Sequence, residues 1–256
     1  MLGIGEIKQE FKEVNYSSEA AIIEFIDKYE NDERAGVINI VNSAKKKLDE
    51  LKKEIERSYN MRSFERKYYD MGYNYICGID EVGRGPLAGP VVTCAVILPK
   101  DETILYLNDS KQVSKKKREE LYEIIIDKAL AYSIGISSEE RIDEINILQA
   151  TYEAMRMSID NLKIKPDILL NDAVKIPNVN IHQVPIIKGD TLSASIAAAS
   201  IVAKVTRDRI MHEYDSIYPE YGFADNVGYG SAKHIEAIKK YGPTPIHRKT
   251  FIKNFV

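Results

Sequence analysis

The chain has 256 residues, is 44% hydrophobic and 29% charged, and carries a formal net charge of −3 at pH 7. That is the composition of an ordinary globule, long enough for one large domain or a core with an appendage. No apolar run reaches the length of a membrane span, and Met1 to Phe11 mix acids with apolar residues instead of forming a signal peptide, so a cytoplasmic protein is expected.

Residues 1–70 read as a small helical module. Ser17 or Ser18 can cap a helix whose apolar face is Ile22, Ile23, Phe25, Ile26 and Tyr29. A second helix follows from Val37, Ile40, Val41, Ala44, Leu48, Leu51 and Ile55, spaced by threes and fours. Charge is segregated here: residues 10–33 hold eight acids and two bases, residues 34–67 ten bases and five acids. Such a module suits contact with nucleic acid, with a partner, or with the domain that follows.

From residue 71 to 256 strands and helices alternate. Strands are predicted at 74–81, 91–98, 131–137, 167–172 and 181–187, and helices at 114–130, 146–163, 193–217 and 231–241. The short Gly/Pro loop between the first two strands predicts an antiparallel pair, and the later alternation a mixed sheet with helices on its faces. The small-residue run Ser193 to Lys204 predicts a helix buried closely against that sheet. Cys77 and Cys94 lie inside predicted strands and read as buried, reduced thiols. Two segments are locally basic: residues 110–118 carry five cations and no acid, and residues 231–256 carry six cations and one acid. Local patches of this kind matter more than net charge when the ligand is a polyphosphate.

The chemistry concentrates at strand ends. Asp80 and Glu81 leave the first strand and enter Val82-Gly83-Arg84-Gly85-Pro86-Leu87-Ala88-Gly89-Pro90, a loop rich in glycine and proline. Carboxylate oxygens suit Mg²⁺ or Mn²⁺, and glycines let backbone N–H groups approach an anion or a sugar. Consecutive strand side chains point to opposite faces. Both acids can therefore serve one cation only if the strand ends or bulges there; otherwise Glu81 contributes its carbonyl or a longer-range contact. Asp172 closes the apolar run Ile168-Leu169-Leu170, and Asp190 follows Val184 to Gly189 just before the long helix. Four acids at the ends of core strands suit metal-assisted phosphodiester hydrolysis. The four histidines, His182, His212, His234 and His247, form no metal-ligand pattern and read as structural residues or phosphate contacts.

The ordered blocks Asp80 to Pro90, Asp109-Ser110-Lys111, Lys188-Gly189-Asp190, Ala198 to Asp208, Gly228-Tyr229-Gly230 and Pro245-Ile246-His247-Arg248 resemble bacterial ribonuclease HII, the type 2 ribonuclease H. The resemblance covers about residues 73–252. It implies an α/β, ribonuclease-H-like mixed sheet flanked by helices, with the helical module of residues 1–70 in front of a catalytic domain spanning 71–256. It implies an endonuclease that cuts the RNA strand of RNA–DNA hybrids and nicks 5′ of single ribonucleotides in duplex DNA, leaving 5′-phosphate and 3′-hydroxyl ends. Asp80, Glu81, Asp172 and Asp190 match the family's catalytic acids, which bind Mn²⁺ or Mg²⁺. Gly83, Arg84 and Gly85 match the turn that reads the ribose 2′-hydroxyl, Tyr229 the tyrosine that packs on the neighbouring sugar, and Lys111 and Lys188 basic residues near the backbone. A monomer is expected, with no membrane partner. Departures are Asn171-Asp172-Ala173 where the family usually has Val-Asp-Gly, Val227 where a lysine commonly precedes the Gly-Tyr pair, and a chain that stops soon after Arg248. Two competing readings are a resolvase or integrase-type enzyme on the same sheet, which has no need of the GRG turn, and an inactive hybrid-binding protein, which has no need of four acids.

Overall fold

The computed structural model describes residues 2–256, and the chain divides into two compact units, Met1–Asn60 and Met61–Val256. The first is built on helices α1 (Ile4–Glu13), α2 (Glu19–Tyr29) and α3 (Ala35–Met61). Ser18, not Ser17, caps α2 by accepting the Ala21 N–H. Ile22, Phe25, Ile26 and Tyr29 are buried as their spacing predicts, whereas Ile23 points outward at 39% exposure. Helix α1 is absent from the periodicity reading because it buries Ile7 alone. It is held by Glu10, which accepts hydrogen bonds from Lys28 Nζ and Tyr29 Oη at 2.6 Å each, and by Phe11 against the Phe25 ring.

The second unit opens with α4 (Ser63–Asp70), which leads into a five-stranded sheet ordered β3-β2-β1-β4-β5. Its strands are β1 (Ile76–Val82), β2 (Val91–Ile97), β3 (Ala131–Ser137), β4 (Ile168–Asp172) and β5 (His182–Ile186). β1 pairs antiparallel with β2, and β2 with β3, whereas β1, β4 and β5 run parallel. This is the predicted mixed sheet, with strand bounds within two residues of those read from periodicity. The carboxyl ends of β1, β4 and β5 therefore open on one edge.

Alternate residues of β2 feed two cores. Val92, Cys94 and Val96 pack under α5 (Lys115–Lys128) and α8 (Ala194–Ile217). Ala95 and Ile97 join Cys77, Ile79 and Leu169 beneath α6 (Glu139–Asp160). Both cysteines are free and fully buried, and burial among apolar side chains pushes their thiols well above the usual thiol range. Helix α6 begins seven residues before its predicted start because it is two helices merged across Asn146, whose φ of 68° breaks the first. Ser138 caps the first piece, and the Asn146 carboxamide caps the second by accepting the N–H groups of Leu148 and Gln149.

The small-residue helix α8 packs as its composition predicts, with every residue from Ala194 to Ala203 buried. Its approach to β1 is so close that a Cβ on Gly78 would lie 2.1 Å from the Ser195 carbonyl carbon. Buried Glu65 of α4 accepts from Ser193 Oγ and from the Ser195 N–H, which ties down the start of α8. The remaining elements are the four-residue α7 (Gly189–Leu192), a 3-10 turn at Pro219–Tyr221, α9 (Phe223–Asn226), α10 (Ala232–Tyr241) and α11 (Lys249–Ile252). Among the described residues no helix is long and apolar enough to cross a membrane.

Candidate active site

Where the parallel strands end, a cleft of about 860 Å³ opens. Asp80, Glu81, Gly83, Arg84, Gly85, Lys111, Asp172, Asp190 and Tyr229 all line it, so nine of the ten residues singled out in the sequence meet in one place. Lys188 is the exception. It sits at the amino end of α7 with a left-handed backbone (φ 57°), and its carbonyl accepts from the Thr191 N–H and Oγ1.

Register explains the convergence. β1 and β4 are parallel with Ile79 opposite Asn171, which brings Asp80 and Asp172 to the same edge. The Asp172 Oδ1 accepts the Gly189 N–H at 2.7 Å, drawing the turn that carries Asp190 to the end of β4. The ladder between β1 and β2 runs unbroken through Asp80, Glu81 and Val82. The strand neither stops nor bulges at the acidic pair, yet both residues line the cleft, which runs along the last three residues of β1, Asp80 to Val82.

Burial dominates the electrostatics, and crowding of the acids adds to it. Burial, then Glu81 and Asp172, push the Asp80 carboxyl well above the ordinary carboxylate range, against hydrogen bonds from Ser200 and the Glu81 N–H. Burial also raises Glu81, opposed chiefly by Arg84, whose Nη1 lies 3.3 Å from Glu81 Oε1. Glu81 Oε2 is buried with no hydrogen-bond partner. Burial, Asp109 and Asp172 raise Asp190, while Lys111 pulls it down. Among the described residues no three carboxylate, imidazole or thiol groups are drawn close enough to enclose an ion. Mutual repulsion of acids sharing a cleft opposes any closer approach.

Several cleft residues carry no role in the sequence reading. Ser200 and Lys204 project from α8 one turn apart, and Ser200 Oγ bonds Ser110 Oγ at 3.0 Å. Lys204 is paired with Asp208 at 2.7 Å, and burial lowers its ammonium despite that partner. Ile147 and Phe251 form an apolar rim. An i, i+4 pair of polar residues inside the otherwise apolar stretch from Ile196 to Val205 was the available signal for Ser200 and Lys204.

The glycine loop is more than an open approach to ligand. Gly83 has φ 90°, and a Cβ there would lie 2.3 Å from Arg207 Nε, so its missing side chain makes room for a buried arginine beneath the turn. Gly85 does face the cleft: a Cβ would stand 3.8 Å from Tyr229 Cε1. Tyr229 is held in turn by two histidines. The Thr244 N–H donates to His247 Nδ1, so His247 carries its proton on Nε2 and donates it to His234 Nε2 at 3.0 Å. That leaves the His234 Nδ1–H to donate to the Tyr229 carbonyl at 2.8 Å. Burial, with His234 nearby, pulls His247 down to about 4, and burial lowers His234 too, which keeps the pair neutral. His212 and His182 also make structural contacts, with the Asp208 carbonyl and the Tyr73 hydroxyl.

The ribonuclease HII sequence profile matches residues 77–254, and that of the ribonuclease HII N-terminal domain matches residues 3–69. The chain belongs to the ribonuclease HII family. Ribonuclease HII from Lachnoclostridium phytofermentans is 59% identical over 249 residues, covering 97% of each chain. The Clostridioides difficile ribonuclease HII is 54% identical over 249 residues, 97% of this chain and 98% of the relative. Among solved structures, the ribonuclease H2 of Pyrococcus horikoshii superposes with a TM-score of 0.59 at 27% identity, over 71% of this chain and 96% of that one. The sequence blocks on which the resemblance rests and the cleft lining coincide at Asp80 to Gly85, Ser110-Lys111, Asp190, Ser200, Lys204 and Tyr229.

Proposed function

We propose that this member of the family is a divalent-cation-dependent endonuclease. It hydrolyses the RNA strand of RNA–DNA hybrids and nicks 5′ of single ribonucleotides in duplex DNA, leaving a 5′-phosphate and a 3′-hydroxyl. One observation carries the reading: four carboxylates from β1, β4 and the start of α7 share a cleft with a glycine turn, cationic side chains and Tyr229.

The donor set fits Mg²⁺ or Mn²⁺. It is all carboxylate oxygen, and the buried, unpartnered Glu81 Oε2 is an acceptor that nothing in the protein satisfies. Asp80, Glu81, Asp172 and Asp190 would hold the cations. The chemistry supplied on binding is activation of the attacking water and stabilisation of charge on the leaving 3′ oxygen. The chain's own groups do the rest. The Gly189 N–H fixes the Asp172 carboxylate. Arg84, Lys111 and Lys204, with Lys188 at the margin, draw the phosphates towards the acids. The Gly83-Arg84-Gly85 turn reads the 2′-hydroxyl, the group by which ribose differs from deoxyribose, while Tyr229 packs on the adjacent sugar. In this division of labour residues 71–256 catalyse and residues 1–70 contact the duplex or a partner.

Incubation with a duplex bearing one ribonucleotide, in Mn²⁺ or Mg²⁺, tests the proposal. Cleavage is expected on the 5′ side of the ribonucleotide and none at the same position in an all-DNA duplex. Folded protein that leaves both intact refutes it.

A further inference from the structure

Among the described residues two arginines are completely buried, Arg207 on α8 and Arg248 at the start of α11, and neither lines the cleft. Burying a guanidinium is costly unless every donor is satisfied. Arg248 uses all five of its N–H donors, and each goes to a main-chain carbonyl of one loop. Nε donates to Gly89, Nη1 to Arg84 (3.0 Å) and Pro86 (2.9 Å), and Nη2 to Gly83 (2.5 Å) and again Gly89 (2.7 Å). Arg207 continues the pattern with bonds to Pro90 (2.9 Å), Ala88 (3.0 Å) and Val227 (2.8 Å).

Seven carbonyls are thus turned inward onto two cations. Six belong to the stretch Gly83 to Pro90, and the seventh lies two residues before Tyr229. Turning a carbonyl inward turns the N–H of the same peptide unit the other way. Among the described residues, the N–H groups of Arg84 and Gly85 donate to no protein acceptor, and Gly85 lies beside the Tyr229 ring. Val227 is a β-branched residue at φ 43°, a conformation such residues rarely hold without outside support. Its carbonyl is the one Arg207 grips. The loop is further stitched to the Tyr229 segment by Leu87 N–H to the Gly228 carbonyl, and to the stretch just before Arg248 by Gly89 N–H to the Ile246 carbonyl.

We infer that Arg248 and Arg207 are positioning residues for ribose recognition, a two-cation clamp that consumes the carbonyls of the glycine loop so that its N–H groups and Tyr229 present one rigid sugar-reading face. The inference rests on the nuclease reading above and assigns it a device that touches no substrate. The clamp needs a planar fork with five donors, so an ammonium of equal charge cannot replace it.

The test is Arg248→Lys in the full-length protein. Affinity is measured, in EDTA, for a duplex with one ribonucleotide and for the all-DNA duplex of the same sequence, alongside kcat and KM in Mn²⁺. The expected result is at least a tenfold loss in the ratio of the two affinities and a matching rise in KM, with all-DNA affinity and circular dichroism unchanged. A ratio equal to wild type in folded R248K overturns the inference. Arg207→Lys, which frees only the far end of the loop and Val227, is expected to lose less and is read in the same way. Should neither variant fold, hydrogen exchange of the wild type decides: Leu87, Ala88 and Gly89 amides that exchange only by global unfolding support the clamp, and exchange by local opening overturns it. Failure of the nuclease reading looks different, since wild type itself would then neither cut nor prefer the ribonucleotide.

Discussion

Gly78→Ala probes the packing that holds the site together. The added Cβ would lie 2.1 Å from the Ser195 carbonyl carbon, 2.2 Å from its oxygen and 2.4 Å from Ile196 N. Ordinary contact begins near 3.4 Å, so α8 or β1 must move by about 1.3 Å. Neither partner can rotate aside, because both are backbone within regular elements, Gly78 inside β1 and Ser195–Ile196 in the first turn of α8. Overpacking typically costs about 1–3 kcal/mol, and a backbone-on-backbone clash belongs at the upper end, about 3 kcal/mol. At roughly 2–4 °C per kcal/mol for a domain of this size, the melting temperature should fall by about 6–12 °C. The same shift moves Ser200 and Lys204, which α8 carries to the cleft, away from Asp80 two residues along β1. Thermal denaturation followed by circular dichroism, with turnover assayed well below the transition, should therefore show both losses. A melting temperature within about 2 °C of wild type would mean that the close approach of α8 to the sheet is not what requires glycine there.

Asp80→Asn should abolish turnover while stabilising the cation-free protein near neutral pH. Burial and Glu81 raise the folded-state carboxyl above its unfolded value, so the native state favours the protonated form and loses stability as pH rises through the window between those values. Melting curves of variant and wild type should converge at low pH and separate above the ordinary Asp range; equal stability at pH 7 would contradict the argument. His247→Gln should flatten the acid limb of the stability profile. The folded-state value of about 4 lies below the usual imidazole range, so its contribution is present above about 6.5 and is lost as pH falls towards 4. Urea titrations across that window check it, and an unchanged limb argues against a neutral pair. Ala173→Gly relieves a left-handed residue at φ 54°. That conformation costs an L-residue about 1–2 kcal/mol, partly offset by about 0.4–1 kcal/mol of extra unfolded-state entropy, so a net gain near 0.5–1 kcal/mol is expected in the denaturation midpoint. Lys111→Ala should lower the salt slope of duplex binding by roughly one unit; an unchanged slope would mean that Lys111 touches no phosphate.

Much of the fold was legible because it follows from local pattern. Alternation and apolar runs located all five strands, and the small-residue run from Ser193 located the helix that must pack closest. Asn146 is instructive: periodicity begins the helix where the structure does have a cap, and overlooks the preceding turn because Ser138 to Ile145 is too short to display a period. Helix α1 escaped for the same reason, since a single buried Ile7 has no periodicity.

The sequence by itself determined the inventory of the site: the four acids and the glycine turn follow from residue type and neighbours, and the resemblance to a known family added Lys111 and Tyr229. Only the tertiary structure decided that they meet, because strand order and parallel register are set by long-range packing and leave no trace in local spacing. The structure likewise decided that Lys188 stands outside the cleft lining, and that the Gly83 Cα–H faces a buried guanidinium. Arg207 and Arg248 look like surface cations in a one-dimensional reading. Their burial becomes intelligible only when the loop that supplies their carbonyl partners has folded over them.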